Sequence, residues 1–223
     1  MIKTVACGLM LLDHIGLFFF PTLKVLRIVG RFAMPFFAYG IARGYFYTKQ
    51  KGSQHVRKYI FQMLLFAVIS QIPYLFLFQE NGSVNIGFTW FLSLLFLMTI
   101  NKKNGKMVYK VLITIFLFFC AEISGAEYGV YGVLMPYLMY LYLVIEKAQY
   151  KAFMSLTVLW GFYVAQENGS AMALLQVVSI FSIPMVCFLK KYDTKLRLPK
   201  PFYYWFYPVH LFVITLVKIY TKY

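Results

Sequence analysis

The sequence predicts an all-α polytopic membrane helix bundle of about nine transmembrane helices, with the N-terminus cytoplasmic. Three observations carry this. Of 223 residues, 61% are hydrophobic and 21% aromatic, and only 13% are charged, whereas a soluble domain holds about half apolar and about a quarter charged residues. The apolar residues, which give a mean hydropathy of +0.70, fall in runs near the ~20 residues that cross a bilayer as a helix. The gaps between the runs alternate in charge, as loops sorted by the positive-inside rule do.

The runs lie near residues 4–20, 25–46, 57–78, 84–100, 107–124, 128–146, 151–166, 171–189 and 202–219. One lysine precedes the first, and no small-residue cleavage site follows, so it reads as a retained span rather than a signal peptide. The gap at 43–58 carries Arg43, Lys49, Lys51, Arg57 and Lys58, with His55 as a solvated loop residue; the next, 79–83, carries Glu80 and no base. Lys102, Lys103, Lys106 and Lys110 follow, then Glu122 and Glu127, then Lys147 and Lys151, then Glu167. Lys190, Lys191, Lys195, Arg197 and Lys200 form the last basic gap. The basic gaps are therefore expected to be cytoplasmic, and nine spans put the C-terminus outside. Lys218 and Lys222 run against that rule. The seventh run is short and contains Gly161. Pro35, Pro73, Pro136, Pro184 and Pro208 lie inside runs, where neighbouring groups can take up the freed carbonyls. No linker or internal repeat divides residues 1–223, which read as a single domain.

The net charge of +15 does not point to nucleic acid, because no RNA- or DNA-binding motif accompanies it and the bases sit in short gaps. Cys7, Cys120 and Cys187 lie in apolar runs without a CxxC pair, as hydrophobic packing residues do. No Walker loop, GxSxG elbow or HExxH pair is present, so no metal site is expected.

Ionisable residues within membrane runs cost a few kcal/mol each and mark functional sites. The first run carries Asp13 and His14 in "MLLDHIGLFFF", the second Arg27 and Arg31 in "RIVGRFAMPFF", and the last His210 in "FYYWFYPVHL". At a rise of about 1.5 Å per residue, His14 lies roughly 15 Å into its run and His210 roughly 12 Å into its own. The two histidines are thus expected at one level. Arg27 and Arg31, four apart, share a helix face; Arg27 suits either snorkelling to the outer headgroups or a place above a mid-membrane site, and the deeper Arg31 suits pairing with Asp13, as an ion pair or as part of a site. Asp13 and His14 point about 100° apart, so they do not form a dyad. Tyr207 shares the face of His210 and could orient it. Gln71 in "SQIPY", with Asn85 and Thr89 in "NIGFTW", suits caps or interhelical hydrogen bonds as well as a site.

The segments "LLDHIG", "RIVGRFAMPFFAYGIARGYFYT", "RKYIFQMLLFAVISQIPY", "NIGFTW", "EYGVYGVL" and "FYYWFYPVHL" occur in order along nearly the whole chain. Together they resemble the TraX family of bacterial integral membrane proteins, named for a conjugation protein that N-acetylates pilin. The histidine-bearing first helix followed by an Arg–Pro–Phe–Phe helix also looks like the transmembrane acyltransferases. The resemblance implies a membrane acetyltransferase that moves acetyl from cytoplasmic acetyl-CoA to an extracytoplasmic amine or hydroxyl. It implies catalytic roles for His14, His210 and Asp13, and substrate or cofactor binding by Arg27, Arg31, Tyr207 and Asn85. The expected partners are coenzyme A, an acceptor such as a peptide N-terminus, glycan or cell-wall polymer, the lipid bilayer and, as an open option, a second copy in a homodimer. The expected location is the bacterial cytoplasmic membrane, as a multi-pass protein. "CFLKKYDTKLR" departs from the Tyr-Asn-Gly-like turn of relatives. Arg57/Lys58 and Lys102/Lys103 could attract coenzyme A phosphates or serve as orientation signals. A solute or proton-coupled transporter, and a non-enzymatic membrane assembly protein, are the alternatives.

Overall fold

A computed structural model describes residues 1–78, 82–102, 104–144, 185–186, 189 and 198–221. Among these residues it contains eight helices and no strand: α1 (Ile2–Phe18), α2 (Lys24–Gly30), α3 (Ala33–Gln50), α4 (Ser53–Phe78), α5 (Ile86–Ile100), α6 (Met107–Ile123), α7 (Gly129–Val144) and α8 (Lys200–Thr221). The chain divides into two compact units, one of Met1–Gly40 with Gln149–Tyr223 and one of Ile41–Ala148.

In the first unit α1 and α8 run side by side in the same direction. The Thr4 and Tyr203 hydroxyls meet at 3.0 Å near their starts, and the Lys218 ammonium lies 5.2 Å from the Phe18 ring centroid near their ends. α2 returns along α1. A Cβ on Gly16 would stand 2.7 Å from Cβ of Leu26, and one on Gly30 would overlap Cβ of Asp13 and stand 2.6 Å from its Cα. Small residues let helices approach this closely. The sequence predicts one helix over 25–46, but the chain turns at Arg31–Phe32 between α2 and α3. Pro35 explains the interruption, because it has no N–H for the Arg31 carbonyl and its ring crowds that carbonyl. The Phe32 amide instead donates to the carbonyl of Val29 at 3.3 Å, a tightened turn.

The second unit is joined by polar side chains spent on backbone groups. Asn85 caps α5 by accepting from the Gly87 amide at 2.8 Å, and its Nδ2 donates to the Ala67 carbonyl and to Gln71 Oε1 on α4. Thr89 and Ser93, one turn apart on α5, donate to the carbonyls of Glu127 and Val133 at 2.8 and 2.7 Å. Tyr45 on α3 donates to the Leu97 carbonyl at the end of α5. Leu117 and Ala121 of α6 pack on Phe96, Ala126 and Val133.

Three described helical stretches are long and apolar enough to cross a membrane: Lys24–Gln50, counted through its turn, Ser53–Phe78 and Pro201–Thr221. They mark the chain as a membrane protein. α1, α5, α6 and α7 have 15–17 residues, about 22–26 Å at the helical rise against a ~30 Å hydrocarbon core. The expected spans at 151–166 and, save residues 185, 186 and 189, 171–189 lie outside the described residues, as do Cys187, Gly161 and Pro184. Apolar rows face outward on α4 (Phe61, Leu65, Ile72, Phe76), α6 (Val108, Leu112, Ile115, Phe119) and α8 (Trp205, Val209, Phe212, Leu216). Rows of this extent suit hydrocarbon rather than water.

Two measurements check this packing. Gly30→Ala is expected to destabilise the chain by about 1–3 kcal/mol through overpacking. Gly8→Ala, where an added Cβ meets nothing within 4 Å, should stabilise by about 0.5–1 kcal/mol as a helix-interior glycine replacement. Thermal unfolding in one detergent compares them, and equal melting temperatures for the two variants would contradict the close α1–α2 approach. Asn85→Ala should lower stability by about 1–2 kcal/mol, as loss of a cap does. If Asn85 served instead as a ligand-binding residue, melting would be unchanged.

Candidate functional site

His14 sits on the face of α1 turned to α8, and His210 lies ten residues into α8. His14 Nδ1 and His210 Nε2 are 2.8 Å apart. The ring centroids stand 5.0 Å apart with planes inclined by 8°, so the imidazoles meet edge to edge and nearly coplanar. His210 Nδ1 lies 2.8 Å from the Phe206 carbonyl oxygen, one turn back on α8. A carbonyl only accepts, so His210 Nδ1 carries the proton and donates to Phe206. Neutral His210 is then an acceptor at Nε2, and His14 Nδ1–H is its donor. The remaining imidazole lone pair falls on His14 Nε2. This chain of protons is directional, and one backbone oxygen sets its direction.

Local sequence builds that geometry. Pro208 lies inside α8 and removes the N–H that would reach the Tyr204 carbonyl, loosening the turn that carries His210. The Phe206 ring lies against His210 with centroids 4.9 Å apart and planes at 17°. Tyr207, which is buried, inclines its ring to His210 at 5.5 Å. Phe18, one turn beyond His14, places its ring 6.5 Å from the histidine.

Asp13 points the other way, to α2. Its Oδ2 accepts from Arg27 Nη1 at 3.1 Å, with the two side chains 13% and 9% exposed. Of the two readings of Arg27, snorkelling to the headgroups is ruled out, because its side chain is buried. Arg31 acts electrostatically on Asp13, as the expected pairing requires, and Arg27 adds the side-chain hydrogen bond to the same carboxylate. The reason is the close approach at Gly30, which turns the face of α2 bearing Arg27 onto α1. Arg31 occupies the turn after α2, within electrostatic reach of Asp13 and His14. Arg31 keeps helical angles and its amide donates to the Arg27 carbonyl at 3.1 Å, so the two arginines share one helical turn as expected.

Of the residues expected in a site, His14, His210, Asp13, Arg27, Arg31 and Tyr207 come together in the first unit. Asn85 belongs to the second, where it caps α5 and both Nδ2 hydrogens are taken by Ala67 and Gln71. Phe206 is the participant that the sequence reading missed. Its signal was the four-residue spacing to His210 across Pro208. No cluster of three or more His, Cys, Asp or Glu suited to a metal ion occurs among the described residues.

The Asp13–Arg27 pair is a sharp test of this arrangement. Removing one member of a buried pair costs about 3–5 kcal/mol, because the other charge stays behind. Asp13→Asn and Arg27→Gln should each destabilise strongly, and the double variant by clearly less than their sum. Additive losses in a double-mutant cycle of thermal unfolding would show that the two groups do not interact.

Comparison with known proteins gives one partial relative and one family. A protein of Rickettsia prowazekii (strain Madrid E) described as "Uncharacterized protein RP591" is 38% identical over 87 residues, which cover 39% of this chain and 31% of the relative. The chain thus spans about a third of that relative's length. No solved structure matches. The family of the TraX protein matches residues 1–218. With nearly the whole chain covered, the protein belongs to the TraX family.

Proposed function

We propose that this protein is a membrane acetyltransferase that takes acetyl from cytoplasmic acetyl-CoA and delivers it to an amine or hydroxyl on the extracytoplasmic side. The observation that carries the reading is the directional hydrogen bond from His14 to His210. Acyl transfer from a thioester needs a base for the acceptor proton, and a neutral imidazole whose lone pair falls on Nε2 is suited to that at neutral pH. It also needs positive groups for the developing oxyanion, and arginine is effective where water is scarce. Arg27 and Arg31 are the candidates.

In this mechanism the acceptor N–H or O–H gives its proton to His14 Nε2 as the acceptor heteroatom attacks the thioester carbonyl. The tetrahedral intermediate collapses, the C–S bond breaks, and the coenzyme A thiolate takes the proton from His14. His210 is a positioning residue: it accepts from His14 Nδ1 and shares the imidazolium charge while that exists. Asp13 holds Arg27, and Tyr207 packs beside His210.

The proposed setting is the bacterial cytoplasmic membrane, with about nine spans and the N-terminus inside. The parallel course of α1 and α8 supports an odd number of spans, since a first and a last span crossing in one direction require it. Peptide N-termini, glycans and cell-wall polymers are all candidate acceptors, and a homodimer is compatible with the outward apolar faces.

The test is cleavage of labelled acetyl-CoA by purified, folded full-length protein. His14→Ala is expected to lower the rate by about 10²–10⁴-fold, the range of general-base catalysis, with the melting temperature retained. His210→Ala should lower it less, because the base itself remains. Folded wild-type protein that never consumes acetyl-CoA would sink the proposal, and unchanged turnover in His14→Ala would remove that residue from the mechanism.

A further inference from the structure

At the end of the second unit where α3 and α5 finish and α6 begins, lysines from separate parts of the chain converge on the terminus of α5. Lys49, in the last turn of α3, donates to Asn101 Oδ1 and to the Tyr140 hydroxyl, each at 2.9 Å. Lys110 on α6 donates to the Ile100 carbonyl at 3.1 Å. Lys102 follows Asn101 directly and is exposed. Gly105 sits between two of these stems: a Cβ there would stand 3.2 Å from Cε of Lys110 and 3.8 Å from Cδ of Lys102. Lys106, also exposed, is the N-cap of α6. The carboxylates among the unit's described residues, Glu122 and Glu127, lie at or beyond the far end of α6.

Orientation and capping account for part of this. Positive residues belong in cytoplasmic loops, and cations suit the C-terminus of α5. Neither explains Lys106 and Lys110 around the N-terminus of α6, where the dipole favours an anion and the first turn holds no acidic residue. Nor does capping consume the cluster. An ammonium has three donors. Lys110 spends one on Ile100, and the exposed Lys102 ammonium takes no part in capping α5.

The surface beside the cluster points to its occupant. The outward apolar row of α6 starts at Met107 and Val108, directly after the lysines, and continues through Leu112, Ile115 and Phe119. Tyr109, exposed beside them, is an amphipathic ring of the kind that sits at headgroup level. A phospholipid fits both parts at once, with acyl chains for the row and a phosphate for the lysines. A soluble phosphate compound leaves the row unused. Basic clusters between helices at the cytoplasmic surface hold anionic headgroups in this way.

We infer that Lys102 and Lys110, with Lys49 and Lys106 adding to the field, bind the phosphate of an anionic phospholipid whose acyl chains lie along α6. This site is separate from acetyl transfer and does not depend on it.

Phosphatidylglycerol and phosphatidylcholine, which differ in headgroup charge, are titrated into the full-length protein in a neutral detergent, and bound lipid is counted by native mass spectrometry. Phosphatidylglycerol is expected to bind about tenfold or more tightly. Lys102→Glu leaves the Lys49 and Lys110 contacts at α5 in place and should keep the wild-type melting temperature. It should weaken phosphatidylglycerol binding by about fivefold or more, the effect of one lysine charge near the surface. Lys102→Gln/Lys110→Gln should weaken it further, and Lys102→Arg/Lys110→Arg should retain it. Arg57→Gln/Lys58→Gln removes the same charge from the start of α4 and should cost clearly less. Equal binding of the two lipids, wild-type binding in Lys102→Glu, or equal losses in the two glutamine pairs overturns the inference, the last by showing a diffuse field rather than a site. If Lys102→Gln/Lys110→Gln fails to fold, Lys102→Glu decides alone. Coenzyme A serves as the soluble phosphate probe. Bound phosphatidylglycerol that survives excess coenzyme A supports the lipid site; its displacement assigns the lysines to a soluble phosphate and overturns it.

Discussion

The Asp13–Arg27 pair constrains everything else in the first unit. A carboxylate within a membrane helix is costly unless paired and hydrogen-bonded, and Arg27 supplies both at 3.1 Å. For the pair to form, α2 must lie directly on α1, which Gly30 and Gly16 permit by having no side chain at the contact. That contact fixes the rotation of α1 about its axis. His14, one residue on and about 100° around the helix, is therefore turned from α2 toward α8. The adjacency of Asp13 and His14 is a division of labour, in which one residue sets the helix rotation and the other uses it.

The two units treat their buried polar groups differently. In the second, Asn85, Thr89 and Ser93 are spent on backbone carbonyls and amides of neighbouring helices, which joins the helices and leaves those side chains little scope for chemistry. In the first, the polar groups are titratable and face one another across helices. The Phe206 carbonyl gives them a direction, because it can only accept and so decides which histidine nitrogen holds each proton. A backbone oxygen on α8 thereby selects the nitrogen of a residue on α1 that presents a lone pair.

Much of the helical layout was legible in the chain. Runs of apolar residues placed α4, α5, α6 and α7 to within a few residues, and Cys7 lies buried on α1 as an apolar packing residue. Counting residues along two helices put His14 and His210 at one level, and they are bonded. The break at Arg31–Phe32 was less legible, because hydropathy continues smoothly through it and the cause, Pro35, acts on a carbonyl four residues earlier. Counting depth along one helix pointed to Arg31, which does act on Asp13; it could not register that Gly30 brings α2 near enough for Arg27 to bond the same carboxylate.

By itself the sequence determined what must be buried, what must be offset, and where along each helix the costly groups sit, since composition and helical rise are local quantities. Partner choice was left to the tertiary structure. Which arginine bonds Asp13, where Asn85 spends its amide, and which nitrogen of His14 carries the lone pair all depend on helix rotation and interhelical distance. Those follow from contacts between residues far apart in the chain: Gly30 on Asp13, and His14 on His210, 196 positions away. No local pattern encodes such contacts, because each is selected by how well all the helices pack at once.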